Sequence, residues 1–379
     1  NTTNSGLVTG NVDLGAGSGA FGNLIGGTFV PNTIVNLGGG ILNNDGFLNL
    51  GGTKNIVATV LNGNFVQSTT GKLAVDVQFG QTPSDVLAAT GTANVRGLVA
   101  PFLMWLAPSA PLPIVTATGG LTGINDATPV NTPIVTYSLQ TTANALLISP
   151  SVVNFTPPAF AGSLNPNEAA VAGHFQGVWN SGGSGALGGI MAYLGNFTDA
   201  AAYAAALNQL TPQPILAQPT GVLLTGMGFI DGMMSCRGTN GPQAPLREHE
   251  CVWARFTGGI ANQQSNGSNM AYREAGERIQ AGIQKRLGLD SFYGFAMGFE
   301  SARTTTPGFA TSDAQRGDIG FAVKRQLGNW LIAGAADFGV STVNTTRSIN
   351  FPTPLSAASQ SQLWHIDARF RAAYLIEQG

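Results

Sequence analysis

From Cys251 onward the sequence alternates with a period of two, and this restricts what the chain can fold into more than any other feature. In Trp364-His365-Ile366-Asp367-Ala368-Arg369-Phe370-Arg371-Ala372-Ala373-Tyr374, one face is Trp364, Ile366, Ala368, Phe370, Ala372 and Tyr374; the other is His365, Asp367, Arg369, Arg371 and Ala373. Successive side chains of a strand point to opposite faces, so this segment reads as a strand that is apolar on one side and charged on the other. The same split sets Ile319, Phe321 and Val323 against Asp318, Gly320, Ala322 and Lys324, and Ile279, Ala281 and Ile283 against Arg278, Gln280 and Gly282. It sets Tyr293, Phe295, Met297 and Phe299 against Gly294, Ala296, Gly298 and Glu300, and Trp330, Ile332, Ala336, Phe338 and Val340 against Ala333, Ala335 and Asp337. Val252, Ala254, Phe256 and Ile260, opposite Arg255 and Thr257, supply a less regular first strand.

A soluble sheet hides its apolar face behind a second layer of chain. Strands of about ten residues with aromatics near the ends of the apolar stripe describe instead a transmembrane β-barrel, lipid outside and water inside. The expected lumen side carries Arg255, Glu274, Arg278, Glu300, Arg316, Asp318, Lys324, Asp337, Asp367, Arg369 and Arg371. Glu277 falls on the lipid side between Ala275 and Ile279, which places it near an interface or means that this strand's register is misread. Longer loops, 261–270, 302–311 and 343–361, alternate with short turns at Gly288-Leu289-Asp290 and Gly328-Asn329. Six strands fall short of the roughly eight that such barrels need, and open edges in lipid leave unpaired amides. The expectation is a barrel whose closing strands lie beyond Gly379.

Upstream the chain changes character. Of 17 basic and 19 acidic residues, Asn1 to Ser235 holds only 3 and 8, leaving 14 and 11 for Cys236 to Gly379. Charged residues make up 9% of the chain, against about 25% in ordinary soluble domains. A net charge of -2 gives no electrostatic reason to expect nucleic acid. The N-terminus shows no basic-then-apolar leader, so an export signal is expected to have been removed or to lie upstream.

From Gly6 to about Ala100, short β-branched runs are punctuated by Gly and Asn, and Val12-Asp13-Leu14-Gly15 recurs loosely as Val35-Asn36-Leu37-Gly38 and Leu48-Asn49-Leu50-Gly51. Read as rungs of a parallel β-helix, each strand buries an inward apolar side chain on the next while stacked Asn or Asp satisfies turn amides; an ordinary β-sandwich is the alternative. Ala100 to Pro158 reads as extended strands leading off the stack. Asn165-Pro166-Asn167-Glu168 starts a helix through Trp179, a Gly/Ser break follows at 181–185, and Thr198 caps an Ala-rich helix from Asp199 to Leu210. Ile215 to Met234 is apolar with Asp231 its only charge, but Gln218, Pro219 and four glycines argue against exposure to lipid.

This order of parts resembles a type V secretion autotransporter. The resemblance rests on Gly71-Lys72-Leu73-Ala74-Val75-Asp76-Val77, Ser84-Asp85-Val86-Leu87 and Gly91-Thr92-Ala93-Asn94-Val95 as the passenger's junction. It rests also on Leu207-Asn208-Gln209-Leu210-Thr211-Pro212, Gly228-Phe229-Ile230 and Cys236-Arg237 as the linker, and on Val252-Trp253-Ala254-Arg255 as the first barrel strand. It implies a mainly β chain: the passenger β-helix end over 1–150 with an autochaperone-like junction, a helical linker over 151–250 including a pore helix at about 211–235, and the first half of a barrel over 251–379. It implies a monomer in outer-membrane lipid, assembled by barrel-assembly machinery and periplasmic chaperones, with the passenger at the cell surface. Some family members cleave the pore helix with an Asn pair; Asn208 is single here, so the passenger is expected to stay attached.

Cys236 and Cys251 are the only cysteines. An oxidising periplasm permits a disulfide between them; two free thiols are the alternative. No cysteine upstream can form a loop that would block threading. Gly17-Ser18-Gly19-Ala20-Phe21-Gly22 fits a dinucleotide fingerprint without the βαβ unit that would give it meaning. His174, His249 and His365 lack metal spacing, no Ser/His/Asp set is present, and Asp13, Asp45, Asp76 and Asp85 are too sparse for a hydrolase or lyase groove. No enzyme and no cofactor are expected. The rival readings are a surface adhesin for which the barrel is only an anchor, and a porin-like channel, which the linker makes improbable.

Overall fold

The computed structural model describes residues 1–122, 126–183, 185–234, 236, 248–267, 269–350 and 354–374. Arg237 of the linker motif, most of the segment between the two cysteines and the last five residues lie outside the described residues. The chain is mainly β and divides into two compact units, Asn1–Asn208 and Gln209–Gly379. That division falls inside the stretch 151–250 that the sequence reading treats as one linker.

The first unit is a parallel β-solenoid. One strand position per rung can be followed through Thr3, Gly22, Asn43, Val66, Asn94 and Thr122, each paired in parallel with the next. The rungs therefore grow along the stack, by steps of 19, 21, 23, 28 and 28 residues, which is why the sequence repeat is loose. Val12-Asp13 pairs with Val35-Asn36, so these two repeat units do stack. Leu48-Asn49 lies in the other sheet, against Leu73-Ala74, and is not a third copy of that rung position. Phe21, Leu42, Phe65, Phe29, Leu48 and Leu73 point inward and are buried, each contributing roughly 1.5–3 kcal/mol by burial.

Polar side chains stack where the rungs turn. Asn4 Nδ2 donates to Asn23 Oδ1 at 2.9 Å, Asn23 to Asn44 at 2.8 Å, and Asn44 to Gln67 Oε1 at 2.9 Å. Gln67 ends the ladder by donating to the Arg96 carbonyl at 2.6 Å. A second ladder on the outside joins Asn62 to Asn36 and Asn36 to Asp13. Both serve backbone groups that the sheets leave unpaired: the inner ladder donates to the carbonyls of Thr28, Phe47 and Arg96, and Asp13 and Asn36 of the outer one accept from the amides of Gly15 and Gly38.

The stretch from Ala100 does not leave the stack as the sequence suggests. Strand Gly97–Leu106 runs parallel to Lys72–Phe79, and Leu112–Ala117 parallel to Val86–Ala89. Only then does pairing turn antiparallel, Ala145–Val153 lying between Leu112–Ala117 and Val135–Thr141 and ending the stack. Helices follow. Pro166–Asn180 begins with a capping box in which Asn165 accepts from the amides of Asn167 and Glu168 while Glu168 accepts from Asn165. Helix Gly188–Gly195 has no capping side chain and escapes the sequence reading; Gly188 sits against the Trp105 ring, leaving no room for a Cβ. Ala200–Asn208 is capped by Asp199, whose Oδ1 accepts from Ala202 at 2.8 Å, rather than by Thr198.

The second unit is helix Gln213–Met233 and six antiparallel strands in sequence order: Cys251–Gln263, Tyr272–Leu287, Ser291–Thr306, Ala310–Leu327, Trp330–Asn350 and Pro354–Tyr374. The helix packs against the second to sixth of these strands, so the sheet curls around it. Phe256, Ile279, Phe295, Phe299, Phe321, Trp364, Ile366 and Phe370 are exposed on the convex side, while Arg316, Lys324 and Asp318 are almost fully buried on the concave side. This inversion of the soluble pattern is what lipid outside demands. Glu277 lies outward as its register predicts, between Gly258 and Ser301 on the neighbouring strands. That hydrogen-bonded row continues through Gln315, Thr342 and Gln362, whereas the row one step along is Phe256, Ile279, Phe299, Gly317, Val340 and Trp364. Glu277 therefore stands where the outer face turns from apolar to polar.

Candidate functional site

The concave face and the helix within it form the site. The helix can lie close to charged walls because glycines face them: Gly221 abuts Arg316 and Glu274, Gly226 abuts Asp367, Gly228 abuts Arg278, and Gly232 abuts Gln280. Gln218, Thr225 and Asp231 of the helix each bond to the wall. Gln218 donates to Thr345 Oγ1 at 2.7 Å and Ser312 Oγ at 3.2 Å, and the Phe229 carbonyl accepts from Gln280 at 2.7 Å. Phe229 and Met233 fill the space over Gly298 and Gly320, where the wall has no side chain.

Charged residues on the wall assemble into three groups. In the first, Arg278 Nε donates to Glu300 at 2.8 Å, and Arg316 Nη1 reaches Glu300 at 2.5 Å, Glu274 at 3.2 Å and Thr225 of the helix at 3.0 Å. Two guanidinium groups thus balance two carboxylates in a largely buried cluster. In the second, Lys324 Nζ donates to Glu248 Oε2 at 2.9 Å, and Gln284 donates to the same oxygen. The third gathers Asp318, Asp337 and Asp367 around His365 Nε2, at 3.2, 3.2 and 3.6 Å. Arg369 pairs with Asp231 of the helix.

Two of the residues read from sequence as lumen lining stand apart from these groups. Arg371 faces inward across Ala333 and is half-buried, while Arg255 is on the inward register opposite Gln280 but exposed, because the first strand has a paired neighbour on one side only. Cys236 and Cys251 are bonded to each other, with Cα atoms 6.1 Å apart. Alternation alone misses Thr225, Gln218, Glu248 and the role of His365 as a hub. His365 was legible only through register, since Asp318, Gly339 and His365 share one hydrogen-bonded row and Asp337 and Asp367 are paired on the next inward one.

Residues 252–379 match the family model of the autotransporter beta-domain. Over these residues, about a third of its length, the chain is similar to an autotransporter β-domain. Its family role is translocation of a passenger, and its family location is the outer membrane, where insertion machinery assembles it. No curated protein and no solved structure matches the chain. Among the described residues no helix is long and apolar enough to cross a membrane.

Proposed function

We propose that this chain exports its own passenger across the outer membrane and then holds it at the cell surface, the β-domain acting as translocator and anchor. The observation that carries this reading is helix Gln213–Met233, whose glycines and hydrogen-bonding side chains fit a charged interior wall. A segment left in the lumen after export has this fit as its end state. The solenoid Asn1–Asn208 is the passenger end in this reading, and it supplies the driving force, since no nucleotide is available outside the cell. Each rung that forms buries apolar surface at roughly 25 cal/mol per Å² and resists return. Its last rungs, from Gly71 onward, act as the template on which the rest folds. Export involves no bond cleavage here, because Asn208 precedes the helix without a partner Asn, and the passenger stays attached.

The test is protease shaving of intact cells that express the full-length protein. Loss of solenoid epitopes with the β-domain protected supports the reading; an epitope protected until the outer membrane is breached overturns it. A single band at full length, before shaving, is the expected result for an uncleaved passenger.

A further inference from the structure

We propose that Asp318, Asp337 and His365, with Asp367 beside them, form a binding site for one divalent cation of the zinc class inside the β-domain. Three observations meet here. The ligand atoms of Asp318, Asp337 and His365 all lie within 4.8 Å of one another. Asp318 is 2% exposed and Asp337 4%, yet neither oxygen of Asp318 and only one of Asp337 has a hydrogen-bond partner. Finally, the distances from His365 Nε2 to the three carboxylates are 3.2, 3.2 and 3.6 Å. A tetrahedral ion with bonds of about 2.0–2.2 Å sets its ligand atoms roughly 3.3–3.6 Å apart, so the distances from Nε2 to Asp318 and Asp337 suit three ligands around one centre, with Asp367 just outside them.

Protein groups alone do not satisfy the cluster. A single Nε2 hydrogen can serve one carboxylate at a time, and three converge on it. Among the described residues no lysine or arginine forms an ion pair with Asp318, Asp337 or Asp367; Arg278 and Arg316 are committed to Glu300 and Glu274. Three carboxylates converge on this one ring nitrogen, and a divalent cation ligated by Nε2 would offset two of their negative charges. Mixed imidazole and carboxylate donors favour zinc-like ions over calcium, which takes oxygen ligands.

The wall is shaped to permit this convergence. Asp318 and His365 lie two strands apart, on either side of Gly339, and a Cβ there would collide with both. On the other side Gly226 of the helix packs on Asp367. A bound ion would tie the fourth, fifth and sixth strands together beneath the helix.

The test uses full-length protein extracted from outer membranes into detergent micelles and stripped with a chelator. Calorimetric titration with Zn²⁺ alone is expected to show one ion per chain, bound far more tightly than Ca²⁺. His365→Gln and Asp318→Asn should each weaken Zn²⁺ by on the order of 100-fold, at least as much as losses around a metal's ligands cost, while the outward Asp313→Asn should leave it unchanged. Heat-modifiable migration verifies that each variant barrel is assembled. If one is not, the visible bands of Co²⁺ in the wild-type protein decide the matter, intense for four-coordination. Absence of saturable Zn²⁺ binding, affinity unmoved in assembled H365Q and D318N, equal affinity for Ca²⁺, or weak Co²⁺ bands would overturn the site.

Discussion

Arg316 of the wall donates through Nη1 to Thr225 of the helix at 3.0 Å while the same nitrogen reaches Glu300 at 2.5 Å. Thr225 in turn lies 3.1 Å from both oxygens of Glu300, so one helix hydroxyl is locked into a buried ion cluster. Replacing Arg316 with Met removes the cation and leaves Glu274 and Glu300 under-compensated. Breaking one partner of a buried pair costs about 3–5 kcal/mol. The temperature at which the folded band converts to the unfolded band on detergent gels should fall markedly for R316M, and recover in part when Glu300→Gln is added. An unchanged conversion temperature for R316M would contradict the cluster's role.

Phe321 is half-exposed on the convex face, next to Phe295 across the strand pair. If that face meets hydrocarbon, Phe321→Arg costs roughly 2–4 kcal/mol near the bilayer midplane and much less near an interface. Glu277→Leu, at the polar boundary, should be neutral or mildly stabilising. Urea unfolding from lipid vesicles measures both. A soluble, detergent-independent F321R protein of undiminished stability would rule out the lipid-facing assignment.

In the solenoid, Asn23 is fully buried, accepts from Asn4, and donates to Asn44 and to the Phe47 carbonyl. Asn23→Ala leaves these partners unsatisfied without water to replace them, at about 1–3 kcal/mol for a buried group. Asn62→Ala, in the exposed ladder, should cost well under that. Denaturant unfolding followed by Trp105 fluorescence distinguishes the two, and equal losses would refute the inner ladder's importance.

Asp85 gives the solenoid a pH dependence. Burial pushes its carboxyl up to about 7, although the amides of Asp76 and Val57 donate to it and oppose the shift. The folded state then holds its proton more tightly than the unfolded chain, whose value is near 3.8. The associated stability is fully present below that value and is lost as pH rises through about 7. Going from pH 5 to pH 8 should lower the unfolding free energy by about 2–3 kcal/mol. The slope should flatten in Asp85→Asn; an unaltered slope would assign the effect elsewhere.

The bond between Cys236 and Cys251 closes a loop with a sequence separation of 15. Restricting the unfolded chain over such a length is worth roughly 3 kcal/mol. Reduction, or the double change to Ser, should lower the gel conversion temperature of the assembled β-domain, and no change under full reduction would show that the bond is dispensable.

Alternation alone assigned the faces of the six strands, because a residue's side of a strand depends only on its parity, and lipid outside makes that parity visible in hydropathy. Glu277 was placed outward on the same ground. The Asn-capped start at Asn165 and the inward Asn residues were legible too, since their chemistry is local. Other features followed from pairing. Rungs that lengthen from 19 to 28 residues blurred the repeat, hid the stack's continuation past Ala100, and left the uncapped helix Gly188–Gly195 without any local signal. Parity places His365 inward, but it cannot say that Asp318, two strands away across Gly339, and the paired Asp337 and Asp367 converge on it. That depends on the register of three strands and on a glycine small enough to let side chains meet over it, and only the tertiary structure fixes those.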